Sequence, residues 1–265
     1  MKIWTVAAQK GGVGKTTTTV SLAGSLHKRG WRTLMVDLDP HGSLTSYLGL
    51  NPDVVEPNAY TLFDAAGRDQ SADLADSIHP TRAGGFDLVP SSTALISLER
   101  RFGQKQGMGL VLARALKSIA GRYDFCLIDC PPTLGVLVVN ALVCCEKLIV
   151  PVQTEFLAAQ SVDRLLGTIT MIEKSRGQPL PYVVVPTMFD RRTRASNDTV
   201  ETLRMRRDIK LWDDVIPVDT QFREASRLGR PLTTWQPNAK GSQAYERLLE
   251  YVLENGGRAQ LRIVG

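Results

Sequence analysis

The feature that most constrains the fold is a regular alternation of short apolar runs with longer helical patterns. Several apolar runs, such as TLMVD at 33–37 and FCLID at 125–129, are hydrophobic at consecutive positions rather than at every second one. Consecutive apolar residues are expected of parallel strands that helices cover on both faces. The predicted strands are 3–7, 33–37, 86–89, 125–129, 147–151, 182–186 and 215–218. The predicted helices lie near 15–29, 92–120, 135–144, 160–176, 196–207 and 242–255.

This alternation predicts an α/β protein with a doubly wound, mostly parallel sheet and helices on both of its faces. Right-handed crossovers connect such strands, and functional residues then gather at the carboxyl ends of the strands. A length of 265 residues is sufficient for one large core, so we expect a single domain over 1–255 and a C-terminal tail over 256–265. Residues 51–85 show no regular pattern and are predicted to be a surface excursion.

The composition is that of a soluble globular protein, with 43% apolar and 22% charged residues. The longest apolar run, residues 134–145, contains Asn140 and is too short to span a bilayer. The N-terminal residues show no export signal, so we expect a cytoplasmic protein. The net charge of +5 and the pI of about 9.1 are compatible with a nucleic-acid or membrane-surface partner and select neither.

Four cysteines lie close together in the sequence. They are Cys126, Cys130, Cys144 and Cys145. They do not form a C-x-x-C pattern, and none of the three histidines lies near them in sequence. Buried reduced thiols are therefore predicted, with a metal site or a disulfide as the alternative.

A glycine-rich loop stands between the first predicted strand and the first predicted helix. The stretch QKGGVGKTT, residues 9–17, nearly matches the phosphate-binding pattern G-x-x-x-x-G-K-[ST]. Glycines allow backbone N–H groups to close around phosphate oxygens, and the helix N-terminus adds a favourable partial charge. Lys15 is expected to contact the β- and γ-phosphates and Thr16 to bind Mg²⁺. The candidate nucleotide-binding residues of the loop are Lys10, Gly11, Gly12, Val13, Gly14, Lys15, Thr16 and Thr17.

Two positions of this loop depart from the common pattern. Gln9 occupies the place of the first glycine, and a second lysine, Lys10, stands directly before Gly11 and Gly12. The loop is therefore either a damaged nucleotide site or a site that carries an additional positive charge.

Three aspartates at predicted strand ends supply the acidic groups that a metal-dependent phosphate site needs. TLMVDLDP ends a strand with Asp37 and continues to Asp39, and YDFCLIDCPP ends another strand with Asp129. A single such aspartate is more often a cap, but three of them beside a phosphate loop favour a site for Mg²⁺ and water. The sequence contains no G-x-S-x-G motif and no Cys–His pair in a context that suggests covalent catalysis. Direct hydrolysis of a γ-phosphate, which needs no covalent nucleophile, is therefore favoured.

Three separated motifs carry a resemblance to a known family. They are KGGVGKTTTTVSLAGSL, VDLDPHGSLTSYLG and LIDCPPTLGVLVVNAL. They resemble the ParA/MinD family of deviant Walker A ATPases, most closely its ParA (Soj-like) branch, and the likeness extends from residue 1 to about residue 255. The resemblance implies a P-loop NTPase fold, ATP and Mg²⁺ as cofactors, and an ATP-dependent dimerisation switch with slow hydrolysis of ATP to ADP and phosphate.

The resemblance also assigns roles to individual residues. Lys10 matches the signature lysine of the family, which is expected to reach across an ATP-sandwiched homodimer to the phosphates of the partner, much as an arginine finger does. Gln9 is in keeping with the family, and Gly12 is expected where the subunits approach most closely. Asp39 matches the switch I aspartate and Asp129 the Walker B aspartate. The implied catalytic residues are Lys10, Lys15 and Asp39, and the implied metal-binding residues are Thr16, Asp39 and Asp129.

Two later segments, VVVPTMFDRRTRAS and VIPVDTQFREASRLGRPL, resemble the regions that pack on adenine and, in ParA, contact DNA. The candidate adenine neighbours are Met188, Pro217 and Val218. The candidate DNA-binding residues are Arg192, Arg194, Arg223 and Arg227. Such arginines would neutralise phosphates without reading the base sequence.

Other features of the sequence weigh against a simple transfer of these roles. The arginine that the family usually has in the second segment aligns with Gln221. Residues 190–231 hold eight acidic beside ten basic residues, so a solvated surface of mixed charge is the alternative to DNA binding. The family often has Gln where His41 stands, and we assign His41 no role beyond that loop.

The resemblance leaves the partner and the cargo open. It implies an ATPase-stimulating adaptor similar to ParB, with non-specific DNA or a polar protein as the anchor. DLDPHGSLTSYLG is most similar to the ParC relatives that place chemotaxis arrays at the poles of polarly flagellated bacteria. A chromosome or plasmid, or a polar chemotaxis cluster, is therefore the expected cargo.

Three other classes share this scaffold. A MinD-like membrane-associated ATPase ends in a basic amphipathic helix, whereas YERLLEYVLENGGRAQLRIVG has an acidic helix and a glycine break, so no membrane partner is expected. A nitrogenase-like reductase needs cluster cysteines before and after Asp129, and residues 131–143 contain none. A ligase similar to dethiobiotin synthetase is the third alternative.

Overall fold

Seven strands form one sheet in the computed structural model, which describes residues 1–103 and 105–255. The strands are β1 (Lys2–Val6), β2 (Thr33–Asp37), β3 (His79–Pro80), β4 (Phe86–Val89), β5 (Phe125–Asp129), β6 (Lys147–Gln153) and β7 (Tyr182–Thr187). Their order is β3-β4-β2-β5-β1-β6-β7, with β3 antiparallel to β4 and the other neighbours parallel. The predicted α/β fold with a mostly parallel sheet is confirmed.

Helices cover both faces of this sheet. The described helices are α1 (Lys15–Lys28), α2 (Ser43–Tyr47), α3 (Ala59–Gly67), α4 (Ile96–Phe102), α5 (Val111–Ser118), α6 (Val136–Cys144), α7 (Ala158–Arg176), α8 (Arg194–Met205), α9 (Gln221–Leu228), α10 (Leu232–Trp235) and α11 (Lys240–Glu254). Along β5, Phe125 and Leu127 join the core cluster of α1 and α11, whereas Cys126 and Ile128 join that of α5, α6 and α7. Successive residues of a strand point to opposite faces, which explains why this strand is apolar throughout.

The long helix predicted over 92–120 is wrong, because the chain breaks there into α4 and α5. The buried side chain of Asn140 stabilises this break: its Nδ2 donates to the Met108 carbonyl at 2.7 Å, and its Oδ1 accepts from the Leu112 N–H at 3.0 Å. A buried amide must satisfy its hydrogen bonds, and those bonds come from a segment about 30 residues away. The apolar pattern of 92–120 does not contain this information.

The strand predicted over 215–218 is also wrong. This segment runs beside β7 and makes only an isolated bridge between Phe189 and Pro217. Phe189 N–H donates to the Ile216 carbonyl and Val218 N–H to the Phe189 carbonyl, both at 3.0 Å. Ile216 N–H also donates to the Pro186 carbonyl at 2.8 Å, but Met188, between Pro186 and Phe189, has a left-handed φ of 54°. This residue interrupts the extended chain where β7 ends, so the segment covers the edge of β7 without becoming a strand.

The excursion predicted over 51–85 contains regular structure. Asn58 caps α3, since its side chain accepts from the Thr61 N–H at 3.2 Å, and Leu62 and Phe63 are buried. The segment also contains the edge strand β3, which pairs with β4. A local capping signal and a few buried residues therefore order what composition alone predicts to be irregular.

The cysteines are free thiols, as predicted. Cys126, Cys130 and Cys145 are buried, Cys144 is partly buried, and burial raises the pKa of each thiol. Within residues 1–103 and 105–255, no helix is long and apolar enough to cross a membrane. The predicted tail, 256–265, lies outside the described residues.

Candidate nucleotide site

Three neighbouring strands end at the same edge of the sheet and carry the candidate site. The order β2-β5-β1 places the loop that follows β1 beside the last residues of β5 and β2. In the parallel register, Asp129 lies opposite Val6 on one side and opposite Asp37 on the other. The predicted phosphate loop and the predicted acids are therefore brought together, as expected for the carboxyl ends of a parallel sheet.

The loop has the backbone geometry of an anion cradle. Gly12 and Gly14 adopt left-handed conformations with φ of 75° and 92°, which residues with a Cβ rarely adopt. A Cβ built at either glycine would meet no described protein atom within 4 Å, so both face open space. Helix α1 begins at Lys15, and its N-cap Gly14 has no side chain to satisfy the first N–H groups. Those donors are left for a ligand, and they favour an anion.

Lys15 and Thr16 lie in the inner part of the cradle. Lys15 is only 7% exposed, and its Nζ is 3.5 Å from the Lys10 carbonyl, too long for a strong hydrogen bond. The Thr16 hydroxyl donates to Asp129 Oδ2 at 2.6 Å. The lysine amine is thus held inside the site without a strong partner, and the hydroxyl is fixed against the carboxylate that sequence analysis paired with it.

Asp37 and Asp129 are both buried, and burial raises the pKa of Asp37 to about 7 and that of Asp129 to about 8. The charge of Asp39 adds to the rise at Asp37, and the charge of Asp37 adds to the rise at Asp129. Asp37 is fully used within the fold: its Oδ2 accepts from the Thr45 N–H and hydroxyl at 2.8 and 2.7 Å. Its Oδ1 accepts from the Asp39 N–H at 3.1 Å. Asp37 therefore orients the segment that carries Asp39, a role that sequence analysis did not distinguish from metal binding.

The donors near Asp129 fit a magnesium ion. Asp129 Oδ1 is buried and has no hydrogen-bond partner among the described residues. No group of three His, Cys, Asp or Glu side chains in the described ranges is arranged to hold a metal ion. Mg²⁺ does not need one, because it is usually bound by one or two protein oxygens, phosphates and water. Thr16, Asp129 and the nearby Asp39 are a suitable oxygen set of that kind.

Asp39 lies at the border between the buried site and the surface. Its Oδ1 is 2.7 Å from His41 Nδ1 and accepts from the His41 N–H at 3.1 Å. Its backbone carbonyl accepts from the buried Ser91 hydroxyl at 2.6 Å. The sequence analysis missed both Ser91 and the contact with His41. The contact between Asp39 and His41 could have been predicted only from their separation of two residues in the sequence.

Gln9 and Lys10, at the start of the loop, contact residues that follow β6. Lys10 Nζ forms an ion pair with Glu155, which follows β6. Gln9 Nε2 donates to the Thr168 hydroxyl of α7 at 3.2 Å. Lys10 therefore lies on the rim of the cradle, whereas Lys15 lies inside. Glu155 was not predicted, and no local pattern distinguishes it from other surface acids.

A cleft of about 910 Å³ extends from the loop to the predicted adenine neighbours. At one end it is lined by Gly11, Gly12, Gly14, Lys15, Thr16, Thr17 and Asp39, and at the other by Met188, Pro217, Val218, Phe222, Arg223 and Tyr245. Its volume is that of a typical small-ligand pocket. Val13 is buried and supports the loop, since its carbonyl accepts from the Thr187 hydroxyl at 2.9 Å. Phe222 and Tyr245 were not predicted: Phe222 lies in the segment compared with adenine-packing regions but was not selected there, and Tyr245 lies in a segment without a recognised motif.

The four predicted DNA-binding arginines are exposed, but three are paired with nearby acids. Arg192 donates to Asp190 through two nitrogens, at 2.9 and 2.7 Å, and this lowers the pKa of Asp190 to about 2. Arg194 pairs with Asp198 and Arg227 with Glu224. Arg223 alone of the four has no acidic partner within the described part of the chain. Most of this surface therefore has locally balanced charge.

Comparisons with known proteins cover nearly all of the chain. A family model for an AAA domain, AAA_31, matches residues 1–181, which include the loop, Asp39 and Asp129. The sporulation initiation inhibitor protein Soj of Bacillus subtilis is 34% identical over 96% of this chain and 99% of that protein. The chromosome partitioning protein ParA of Caulobacter vibrioides is 35% identical over 96% of this chain and 94% of that protein. Cobyrinic acid a,c-diamide synthase from Mycobacterium smegmatis, solved with an ATP analogue and magnesium, has a TM-score of 0.82 at 31% identity, over 96% of this chain and 95% of that one.

Proposed function

The chain belongs to the ParA/MinD-like P-loop ATPases, in the branch of Soj and ParA, and from this premise we propose that it is an ATP-dependent dimerisation switch. The family binds ATP and Mg²⁺. In the proposed cycle, two ATP-bound subunits associate, and slow hydrolysis of ATP to ADP and phosphate separates them. The dimer partitions or positions a cargo.

One observation supports this proposal most strongly. Among the described residues, the buried Asp129 has one carboxylate oxygen with no hydrogen-bond partner, while its other oxygen accepts from the Thr16 hydroxyl. A buried carboxylate that lacks a partner is costly, and a cation at this place would remove the cost. The site is therefore incomplete without a cation, as an Mg²⁺–ATP site is before it binds its ligand.

In the proposed reaction, the chain positions phosphates and water and forms no covalent intermediate. Backbone N–H groups of residues 11–16 and the Lys15 amine hold the β- and γ-phosphates. Thr16 and Asp129 supply oxygen ligands to Mg²⁺, which neutralises charge on the phosphates when it is bound. Asp39, fixed by Ser91 and by Asp37, orients the attacking water. Lys10 adds positive charge to the phosphates of the partner subunit.

The far end of the cleft is the proposed adenine site. Met188, Pro217 and Val218 offer apolar surface to a base, and Phe222 extends that surface. Tyr245 is itself buried, with its hydroxyl 2.8 Å from that of Thr18. Apolar and aromatic walls of this kind suit a planar ring. Adenine would then lie about one nucleotide length from the phosphate loop, along the cleft.

The proposed partners are a second copy of the chain, an adaptor similar to ParB, and an anchor. We propose non-specific DNA or a polar protein as the anchor, and a chromosome, a plasmid or a chemotaxis cluster as the cargo, giving a nucleoid-associated or polar location. The name of the ParA relative, a chromosome partitioning protein, supports partitioning. No membrane partner is proposed, and sedimentation with liposomes in the presence of ATP checks that point.

The test of the switch is the molar mass of the full chain in solution. Light scattering after gel filtration is expected to give a dimer with ATP and Mg²⁺ and a monomer with ADP. Asp39→Ala should bind ATP, lose phosphate release and stay dimeric. Lys10→Ala should bind ATP and stay monomeric. If Asp39→Ala is a monomer at saturating ATP and Mg²⁺, the proposed switch is wrong.

A ligase is the second candidate, because the similar Mycobacterium smegmatis structure carries the name of a diamide synthase. Such an enzyme would use ATP to activate a carboxylate of a small molecule. Incubation with cobyrinic acid, ATP and ammonia, followed by mass spectrometry for an amide product, distinguishes the two. ATP-dependent dimers without amide product support the switch.

A further inference from the structure

We propose that Glu155 is a positioning residue for Lys10, and that its carboxylate competes with the phosphates of a second subunit for the lysine amine. The proposal rests on the ATP-dependent dimer proposed above and concerns how readily that dimer forms. Its starting point is the ion pair between Lys10 Nζ and Glu155 Oε1, which joins the phosphate loop to the turn between β6 and α7.

The two lysines of the loop have different surroundings. Lys15 is buried and lines the cleft, whereas Lys10 does not line it. The side chains of Lys10 and Glu155 are 37% and 34% exposed. The ion pair therefore holds the Lys10 amine on the rim, where it is partly exposed and accessible to a second subunit.

The backbone that carries Glu155 is held firmly. Glu155 N–H donates to the Gln153 carbonyl at 2.8 Å, and the Glu155 carbonyl accepts from the Ala158 N–H at 2.9 Å. The preceding Thr154 is buried, and its hydroxyl is 3.1 Å from that of Ser196. The turn is thus anchored on both sides. Since these bonds use backbone atoms and Thr154, the Glu155 carboxylate is not needed to form the turn.

The charge balance gives the carboxylate a competing role. An ion pair between half-exposed side chains is weak, so it does not prevent the several anionic oxygens of a triphosphate from taking the lysine. While the pair exists, the positive charge of Lys10 is neutralised and is not offered to a partner. After release, the Glu155 carboxylate lies near the incoming phosphates and repels them. Both effects oppose dimer formation, and both disappear when the carboxylate is replaced by an amide.

The proposal therefore predicts that Glu155 sets the ATP concentration at which dimers form. In the parent chain, the phosphates of the second subunit must displace Glu155 before Lys10 binds them. Nucleotide binding to one subunit does not involve this step, because Lys15 and the backbone of the loop make those contacts. Dimerisation and ATP binding should thus respond differently to a change at position 155.

The experiment measures dimer fraction by analytical ultracentrifugation against the concentration of a non-hydrolysable ATP analogue with Mg²⁺. For Glu155→Gln, the analogue concentration at half-maximal dimer should fall about two- to fivefold, the range of exposed ion pairs. The affinity of the monomer for the nucleotide, measured at low protein concentration, should be unchanged. Glu155→Asp keeps the charge but shortens the side chain, and should shift the midpoint less in the same direction.

Two controls separate a specific effect from a general one. Glu146→Gln removes the same charge from an exposed residue at the opposite end of β6 and should leave the midpoint unchanged. In a Lys10→Ala chain the carboxylate has no lysine to compete for, so Glu155→Gln should increase dimer formation less there than in the parent. Urea unfolding of Glu155→Gln should match the parent, since the turn does not depend on the carboxylate.

The outcomes distinguish this proposal from the proposed switch. If the parent forms dimers and Glu155→Gln leaves the midpoint unchanged or raises it, the competing role is wrong and the switch stands. A raised midpoint would mean that Glu155 presents Lys10 to the partner instead of withholding it. If the parent stays monomeric with the analogue, the proposed ATP-dependent dimerisation is wrong, and the proposed role of Glu155 is wrong as well.

Discussion

The buried interior of the candidate site and its exposed rim are held by different kinds of interaction. In the interior, Lys15, Thr16 and Asp129 lie at adjacent strand and helix ends, and their positions follow from the packing of the sheet. In this comparison the rim comprises the exposed cations Lys10, Arg192 and Arg223, and the first two are held by ion pairs with Glu155 and Asp190. The interior is buried and its carboxyl groups have raised pKa values, whereas the rim has weak contacts that can be exchanged.

This difference separates two parts of the proposed function. Burial strengthens each electrostatic interaction, so the interior can recognise phosphate and Mg²⁺ tightly. Exposed ion pairs contribute only about 0–1 kcal/mol each, so the rim can change partners when a second subunit or another polyanion arrives. If the comparison is right, substitutions in the interior should have larger effects than substitutions on the rim.

The largest expected effect is that of Lys15→Ala. Loss of the buried amine removes charge-assisted hydrogen bonds to the phosphates and should weaken ATP binding at least about 100-fold, about 2.7 kcal/mol. Isothermal titration calorimetry with Mg²⁺–ATP measures it. Lys174→Ala, on the exposed surface of α7, is the matched control and should bind ATP as the parent does. Similar affinities of Lys15→Ala and the parent would contradict the assignment of the interior.

Asp129→Asn should make the nucleotide-free chain more stable at alkaline pH while it weakens Mg²⁺-dependent binding. The raised pKa means that folded Asp129 keeps its proton where the unfolded residue has lost it, so stability falls as pH rises between the two pKa values. The parent should therefore lose about 1–3 kcal/mol of unfolding free energy between about pH 5.5 and about pH 8. The variant should lose less.

Urea unfolding of both chains at the two pH values measures this difference. Since the histidines are common to both chains, the difference between the two slopes reports Asp129 together with its electrostatic interaction with Asp37. Equal slopes would show that burial of this carboxylate is not a source of strain in the empty site.

The smallest effects are expected on the rim. If DNA is the anchor, Arg223→Glu should weaken ATP-dependent binding to non-specific DNA more than Arg192→Glu, because Asp190 already neutralises Arg192. Each should weaken binding by a few-fold, and Arg223→Glu should reduce the slope of log affinity against log salt by about 1. Fluorescence anisotropy across a salt series measures both quantities.

The control for the rim is Arg122→Glu, which makes the same charge change at an exposed residue just before β5, at the opposite edge of the sheet. It should leave both affinity and slope unchanged. Equal effects of all three substitutions would indicate attraction by net charge alone. An absence of DNA binding at low salt would favour a protein as the anchor.

Local patterns were sufficient for much of the fold. The strands predicted over 33–37, 86–89 and 125–129 have the predicted ends, because each is a short, mostly apolar run that ends at an aspartate or just before Pro90. The helix predicted over 15–29 begins at Lys15, where Gly14 provides the left-handed turn. The strand predicted over 215–218 failed because its apolar pattern resembles a strand, while its neighbour stops being extended at Met188, whose φ is 54°.

By itself, the sequence determined which residues can form a phosphate loop, which strands are buried on both faces, and that acids follow two of them. These properties depend on backbone conformation and on apolar periodicity, which neighbours in the chain encode. Only the tertiary structure decided that Asp37 is used to hold Thr45 and Asp39, that Asp129 keeps an unpartnered oxygen, and that Lys10 contacts Glu155. Such contacts join residues far apart in the chain, and their partners are set by how the strands are ordered and the helices packed.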